Sequence, residues 1–202
     1  MSSQSFAQQF GFKLAQYPRY EAFKLICEHL ISLGRPVKIV ETGCVRAKDN
    51  WVGDGQSTVI WDWVISQVGG SLTSIDLDPY ACETAIRLAP TAKVICGDSI
   101  ENLMYLTDKS EIDFLYLDSM DWDGTGESAL HHLDELSVCW DHLKSGTLIA
   151  VDDCFDDGRG KGQMIRSRLD KVGIVPILDS YVTIWKKPES APAWKEIDNA
   201  SS

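Results

Sequence analysis

Five short apolar runs in the sequence each end at, or just before, an acidic residue, and each is followed by a stretch with helical periodicity. The runs are short and contain many β-branched residues, which is typical of buried strands. They are residues 37–40 before Glu41, 72–76 ending in Asp76, 93–96 before Asp98, 112–117 before Asp118, and 147–151 before Asp152. Strands that alternate with helices predict an α/β fold with a largely parallel sheet.

The two ends of the chain differ from this alternating pattern. Two further apolar runs, residues 174–178 and 181–185, predict closing strands and bring the expected total to seven. Residues 20–33 have apolar positions near helical spacing, so residues 1–36 are predicted to be a helical extension whose first nine residues are loose. A central domain is expected over residues 37–187, and the tail from 188 to 202 is predicted to be disordered.

The first predicted strand leads into a loop that contains Gly43, Gly53 and Gly55, and a helix over residues 59–68 follows, with Ser57 or Thr58 as its N-cap. Glycines leave no Cβ between a ligand and the main-chain N–H groups. Strand, glycine loop and helix in this order are typical of the first half of a nucleotide-binding βαβ unit. Plain tight turns have similar glycine spacing, so both interpretations stay open.

Composition limits the choice of partners. The 202 residues include 30 acids and 19 Lys or Arg, which gives a formal charge of −11 and argues against a nucleic-acid partner. Six cysteines contain no C-x-x-C pair, as expected for free thiols in a reducing compartment. The N-terminus has no signal-peptide pattern, and no apolar run approaches ~18 residues. We therefore expect a soluble cytoplasmic protein without a membrane partner; whether it is a homo-oligomer is left open.

The acids at the strand ends are expected to meet in one cleft, because ligands of such sheets bind at the carboxyl ends of the strands. An acidic cleft suits a cationic or hydroxyl-rich ligand better than a pyrophosphate. Asp76 is suited to bind ribose hydroxyls, or else is a helix cap or surface acid. Asp98 is suited to accept a bond from an adenine amino group, or to cap the helix after it. Glu41 is suited to stabilise a cationic group or to position the loop amides.

Taken together, Glu41-Thr42-Gly43, Ser74-Ile75-Asp76, Gly97-Asp98-Ser99 and Phe114-Leu115-Tyr116-Leu117-Asp118 resemble the class I S-adenosylmethionine-dependent methyltransferases. The resemblance implies a Rossmann-like, doubly wound, mostly parallel sheet of seven strands with an antiparallel edge strand, and S-adenosyl-L-methionine as cofactor. It implies the following cofactor-binding residues: Glu41, Gly43, Gly55, Ser57, Asp76, Asp98, Ser99 and Asp118. The chain departs from the family pattern in the long segment 44–54, which is either a lid or a surface loop.

The later strands resemble the metal-dependent, catechol-type O-methyltransferases more closely. The resemblance implies that Asp118, Asp152 and Asp153 bind Mg²⁺ or another divalent cation, which would orient the hydroxyl of the acceptor. That subfamily has a lysine base three positions after the first aspartate, and this chain has Asp121 there.

The candidate catalytic residues are therefore Asp118, Asp121 and His131. His131 and the adjacent His132 have an alternative interpretation as surface or packing residues. Trp122 either walls an acceptor pocket or is a hydrophobic plug. Residues 158–162, Gly-Arg-Gly-Lys-Gly, are interpreted as a mobile rim loop that meets an anionic group of the acceptor.

The function expected from the sequence is O-methylation of a small hydroxylated acceptor. Two alternatives remain. An NAD-type oxidoreductase is favoured by the strand-glycine-helix opening and disfavoured by the missing compact G-x-G-x-x-G. A non-catalytic nucleoside-binding module is favoured by Asp121 in place of the lysine.

Overall fold

The computed structural model describes residues 5–200, and one sheet of six strands organises them. The strands are β1 Val37–Thr42, β2 Gly70–Asp76, β3 Lys93–Cys96, β4 Phe114–Leu117, β5 Leu148–Val151 and β6 Thr183–Lys186. Their order across the sheet is β3-β2-β1-β4-β5-β6, and only β6 is antiparallel to its neighbour. The predicted α/β class, the largely parallel sheet and the antiparallel edge are confirmed.

Helices connect the strands and cover both faces of the sheet. They are α1 Phe6–Leu14, α2 Tyr20–Ser32, α3 Ser57–Val68, α4 Pro79–Leu88, α5 Ser99–Tyr105, α6 Glu127–Trp140, α7 Gln163–Asp170 and α8 Trp194–Asn199, with a 3₁₀ turn at Lys109–Glu111. The longest has 14 residues, and none within residues 5–200 combines the length and apolarity that a bilayer crossing requires.

The side chains of β4 alternate between the two faces, as the period of a strand requires. Phe114 and Tyr116 pack with α1, α2 and α3 on one face, whereas Leu115 and Leu117 pack with α6 and α7 on the other. Since all four side chains are fully buried, the continuous apolar run of β4 reflects a central strand that is covered on both sides.

The prediction of seven strands is wrong for the described residues. Residues 174–178 contain only an isolated bridge from Leu178 to Ile184 instead of a strand. Pro176 has no N–H to donate to a neighbour, and Val175 and Ile177 are exposed, so this segment does not pair regularly even though Ile174 is buried. The sheet therefore ends at β6.

Residues 6–9 near the N-terminus and 194–199 near the C-terminus are more ordered than the sequence suggests. Of the residues predicted to be loose, 1–4 lie outside the described residues, and α1 begins at Phe6 because Ser5 and Gln8 form a capping box. The predicted disorder of the tail is wrong for residues 194–199, which form α8. Trp194 packs against Trp140, and apolar burial outweighs the polar composition of this segment. The division into domains at residues 36 and 187 stays a prediction.

Candidate functional site

A cavity of about 320 Å³ lies at the carboxyl ends of β1, β2 and β4. It is lined by Gly43, Cys44, Arg46, Asp54, Ser57, Asp76, Leu77, Asp78, Asp118, Ser119 and Asp121. Gly43 has a φ of +83°, and a Cβ at this position would overlap the main chain of Asp118. Gly43 thus lets the loops after β1 and β4 approach each other closely.

The lining of the cavity is strongly acidic. Five of its side chains are carboxylates, and Arg46 is the one cation among the lining residues. The Arg46 guanidinium lies 2.8 Å from Asp121 and 3.5 Å from Asp54, so two of the five carboxylates share its charge. The cavity therefore suits a ligand with positive charge better than one with several phosphates.

Asp76 is held firmly at the end of β2. Its two carboxylate oxygens accept hydrogen bonds from the backbone N–H groups of Cys44 at 2.7 Å and Asp78 at 2.8 Å. These bonds fix the orientation of the carboxylate, and carboxylate oxygens have further lone pairs for a ligand. Asp76 is one of four predicted cofactor-binding residues that line the cavity, the others being Gly43, Ser57 and Asp118.

The other four predicted cofactor-binding residues do not line this cavity. Glu41 is fully buried and accepts hydrogen bonds from Ser57 Oγ at 2.5 Å and Ser74 Oγ at 2.7 Å. Its burial raises its pKa to about 7. Asp98 is exposed and caps α5 through the N–H of Glu101, as its alternative interpretation predicted.

Ser99 and Gly55 also lie outside the cavity lining. The Ser99 hydroxyl lies 3.1 Å from His131 Nε2. Gly55 has a φ of +64°, and a Cβ there would lie 2.6 Å from the Arg19 side chain. Gly55 therefore gives room to Arg19 instead of a ligand.

The predicted catalytic residue His131 supports the cavity from behind through Glu135, which the sequence analysis missed. Glu135 is fully buried on α6 and accepts hydrogen bonds from Ser119 Oγ at 2.7 Å and Thr42 Oγ1 at 3.2 Å. Burial alone would raise the pKa of Glu135, but the hydrogen bond from His131 lowers it, and the pKa of His131 is raised in return. His132 is buried, and burial lowers its pKa to about 4.

Three aspartates that were predicted to bind a metal do lie together; we call Asp118, Asp152 and Asp153 the aspartate cluster. Asp118 directly follows β4, and Asp152 and Asp153 directly follow β5. Because parallel neighbouring strands end at the same edge of the sheet, the two strand ends bring the three carboxylates together. Asp118 is the member that also lines the cavity.

Two basic side chains already occupy the aspartate cluster. The first is Arg19, whose Nε donates to Asp152 at 2.7 Å and whose Nη2 lies 3.4 Å from Asp153. Tyr116 donates its hydroxyl to the same Asp152 oxygen at 2.7 Å. Asp152 is fully buried, so these bonds replace its contacts with water.

The second basic side chain is Lys161. Its ammonium contacts the Asp118 carboxylate and lies 2.9 Å from Asp153, with only 1% of the side chain exposed. Burial opposes a charged amine, but the three neighbouring carboxylates raise the pKa of Lys161 above its ordinary value. Lys161 is therefore a buried ammonium that bridges two strand ends.

A divalent cation does not fit the aspartate cluster in this arrangement. A metal site needs carboxylate oxygens that are free to converge on the ion, whereas all three carboxylates bind Arg19 or Lys161. Among residues 5–200 the side chains form no group of three or more His, Cys, Asp or Glu with the arrangement of a metal site. The predicted metal role of Asp118, Asp152 and Asp153 is thus not supported, because the space between the carboxylates holds an ammonium.

Aromatic side chains lie beside the aspartate cluster in one row. Trp122 and Phe155 have ring centroids 6.1 Å apart, and Phe155 and Tyr181 are also 6.1 Å apart. The hydroxyl of Tyr181 donates to Asp153, which connects the row to the cluster. Trp122 is half-buried within this row and does not line the cavity.

The segment 44–54 contributes to the cavity mainly through polar residues. Arg46 and Asp54 line the cavity, whereas Trp51 does not. The Trp51 ring packs against Phe10 at 5.8 Å, and the ammonium of Lys13 lies 4.3 Å from the ring centroid. The aromatic residue of this segment is therefore anchored on α1 and does not cover the cavity.

Comparisons with known proteins agree with this geometry. The model of a family described as methyltransferase domain matches residues 52–154, slightly more than half of the chain. A search among curated proteins gives no match.

Among solved structures, the chain is similar to the MycE methyltransferase from the mycinamycin biosynthetic pathway, solved with Mg, SAH and mycinamycin VI, with 14% identity and a TM-score of 0.64. The match covers 95% of this chain and 58% of the MycE chain. The O-methyltransferase NovP gives 16% identity and a TM-score of 0.56 over 84% of this chain and 79% of its own.

The N-methyltransferase NodS from Bradyrhizobium japonicum WM9 is similar as well, with 11% identity and a TM-score of 0.55 over 85% of this chain and 97% of its own. At such identities these matches establish a shared fold.

Proposed function

Because this chain belongs to the methyltransferase domain family, we propose that it transfers a methyl group from S-adenosylmethionine, which binds in the acid-lined cavity. The observation that carries the proposal is the charge of the cavity, five carboxylates against one guanidinium. S-adenosylmethionine has a sulfonium and an ammonium group against a single carboxylate, so its net charge is opposite to that of the cavity.

Each part of the cofactor has a suitable partner in the lining. We assign the ribose hydroxyls to Asp76, whose carboxylate is oriented by two backbone amides. We assign the methionine carboxylate to the N-terminus of α3 at Ser57, because Gln56 at the N-cap provides no side-chain hydrogen bond to this helix end. The sulfonium is then expected near Asp118.

We propose oxygen of a small hydroxylated molecule as the methyl acceptor, bound against the row of Trp122, Phe155 and Tyr181. The fold is shared with NovP, an O-methyltransferase, and with MycE, which was solved with mycinamycin VI. NodS is an N-methyltransferase, so amines belong in the same acceptor screen.

In the proposed reaction the acceptor oxygen attacks the methyl carbon in line with the sulfur, the new C–O bond forms as the C–S bond breaks, and S-adenosylhomocysteine leaves. The acceptor proton passes to Asp118. Burial and the neighbouring carboxylates of Asp152 and Asp153 raise the pKa of Asp118 although Lys161 opposes this, so Asp118 is a better base than an exposed aspartate. No step is assigned to a metal ion, because basic side chains hold all three carboxylates of the aspartate cluster.

The other predicted catalytic residues receive smaller roles in this proposal. Asp121 is exposed and pairs with Arg46 at the rim, which suits an acid that adjusts the position of the segment 44–54. His131 binds Glu135 and Ser99 and supports the loop that contains Ser119. Neither is expected to take the acceptor proton.

Calorimetric titration tests cofactor binding directly. We expect S-adenosylhomocysteine and S-adenosylmethionine to bind and NAD⁺ to give no heat, because five carboxylates repel a pyrophosphate. Asp76→Asn is expected to lower the affinity for S-adenosylhomocysteine about ten-fold, equivalent to about 1.4 kcal/mol. The matched control is Asp62→Asn, since Asp62 binds Thr91 on the surface and does not line the cavity.

The rival functions give different results in the same assays. NAD⁺ binding without S-adenosylhomocysteine binding would favour an oxidoreductase and contradict the proposal. Cofactor binding with no methylated product, from labelled S-adenosylmethionine and a panel of phenols, sugars and amines, would favour a non-catalytic binding module.

A further inference from the structure

We propose that Lys161 is a built-in cation that takes the place of a divalent metal ion at the aspartate cluster. The proposal starts from the contacts of its ammonium, which touches Asp118 and lies 2.9 Å from Asp153. These two carboxylates follow different strands, β4 and β5. Lys161 therefore joins the two strand ends as an ion bound between them would.

The Lys161 ammonium and a divalent metal ion exclude each other at this position, because both are positively charged. Arg19 and Lys161 supply two positive charges to three carboxylates, and both side chains are nearly inaccessible to water. A divalent ion within reach of the same oxygens would face the Lys161 ammonium at short range in a poorly hydrated site. The cluster can hold Lys161 or a metal between Asp118 and Asp153, but it cannot hold both.

The local backbone is shaped to deliver Lys161 to this position. Cys154 and Gly160 form an isolated antiparallel bridge, and the N–H of Lys161 donates to the carbonyl of Asp153 at 3.1 Å. Asp153 has a φ of 48°, which is uncommon for a residue with a side chain. The hairpin loop thus returns Lys161 to the residue that it neutralises.

The glycines on both sides of Lys161 are needed for this close approach. A Cβ at Gly160 would overlap the carbonyl oxygen of Asp153, and a Cβ at Gly162 would lie 2.7 Å from Cys154 Sγ. The sequence Gly160-Lys161-Gly162 therefore packs a buried lysine against the strand ends, whereas Gly158 and Arg159 of the predicted rim loop are exposed.

The consequence for catalysis rests on the proposed function. Lys161 binds one oxygen of Asp118 and thereby leaves the second oxygen to the acceptor. Lys161 does not line the cavity, so it is a positioning residue that acts through Asp118. Methyl transfer is then expected to be insensitive to EDTA.

The test compares Lys161→Ala with Lys187→Ala after removal of metal with EDTA. Lys187 is a suitable control because it is also a buried lysine, but its ammonium donates to the carbonyls of Trp140 and Leu143 and contacts no carboxylate of residues 5–200. Melting temperatures are measured without cofactor, with and without millimolar Mg²⁺ or Mn²⁺. The melts are therefore independent of whether the protein methylates anything.

We expect no response of the unmodified protein to either ion. Lys161→Ala leaves a space between Asp118 and Asp153 and an excess of negative charge, so Mn²⁺ or Mg²⁺ should raise its melting temperature by about 5 °C. Lys187→Ala should be destabilised without any response to metal, which controls for weak binding to an acidic surface. Mn²⁺ is also expected to restore methyl transfer by Lys161→Ala at least about ten-fold.

Two results would overturn the proposal. One is binding of Mn²⁺ to the unmodified protein, seen as a loss of the free-ion signal in electron paramagnetic resonance, which needs no variant. The other is a folded Lys161→Ala protein that gains no stability from either ion. Failure of S-adenosylhomocysteine to bind would instead contradict the proposed function and leave the melts unaffected.

Discussion

Two aspartates flank the four residues of β4, and their surroundings differ in a way that separates stability from function. Asp113 precedes the strand and binds Arg35 at 2.7 Å and Lys144 at 2.6 Å, both of which reach it from the protein surface. Burial would raise the pKa of Asp113, but the hydrogen bonds from Arg35 and Lys144 lower it to about 2. Asp118 follows the strand, shares the buried Lys161 with Asp153, and has a raised pKa.

The balance of charge explains this difference. At the amino end of β4 two cations contact the single carboxylate of Asp113. At the carboxyl end two cations contact the three carboxylates of the aspartate cluster. Cations that lower the pKa of a carboxylate stabilise the folded state at neutral pH, whereas a buried surplus of acid destabilises it and keeps a carboxylate ready to bind a proton. The charges at the amino end of β4 thus stabilise the fold, and those at its carboxyl end are suited to chemistry.

The largest expected effect comes from removing a cation at each end. Arg19→Met leaves the fully buried Asp152 without its cation, and we expect a loss of about 3–5 kcal/mol in the free energy of unfolding. Arg35→Met leaves Asp113 with Lys144, and a much smaller loss is expected because Arg35 is exposed to solvent. Urea unfolding at neutral pH measures both, and equal losses would remove the contrast between the two ends.

A smaller effect with a distinct pH dependence is expected from Glu41, the buried acid at the carboxyl end of β1. Its pKa is about 7 in the folded state against 4.5 ordinarily, so the folded protein binds more protons between these values. Stability is therefore expected to fall as pH rises from about 4.5 to 7, by roughly 3 kcal/mol. Glu41→Gln should remove this slope because glutamine does not ionise.

The measurement is urea unfolding at several pH values across that window, with the difference between Glu41→Gln and the unmodified protein taken at each pH. The exposed Glu101→Gln is the control for the loss of a surface charge. A difference that does not change with pH would mean that Glu41 is already ionised in the folded protein.

The elements of the fold were largely predictable from the sequence because they depend on local patterns. The strand at residues 93–96 was predicted with its observed bounds, because a short apolar run defines it. The seventh strand was predicted wrongly because apolar character alone does not reveal that Pro176 prevents regular pairing.

The site was predictable only in part, since its charges depend on contacts between distant residues. Asp76 and Asp118 could be predicted from their positions at strand ends. Arg19 lies 133 residues before Asp152, and no spacing in the sequence connects them. Lys161 was visible between two glycines, but its burial depends on a hairpin loop that only the structure reveals. The metal site was predicted because the acids can be identified from their positions at strand ends. The cations that neutralise them come from other parts of the sequence and cannot be identified in this way.

The smallest expected effect concerns Asp113 at the amino end of β4, and its pH dependence is opposite to that expected for Glu41. The folded-state pKa of Asp113, about 2, is below its ordinary value of 3.8, so its contribution is complete above about pH 4 and is lost as pH falls through 3.8 to 2. Asp113→Asn is expected to cost about 1–2 kcal/mol at pH 7, because solvent screens its half-exposed partners, and almost nothing at pH 2. Urea unfolding at the two pH values measures this. A cost that stays the same at pH 2 would mean that hydrogen bonding of Asp113, and not its charge, holds Arg35 and Lys144, and the contrast with Asp118 would then not be electrostatic.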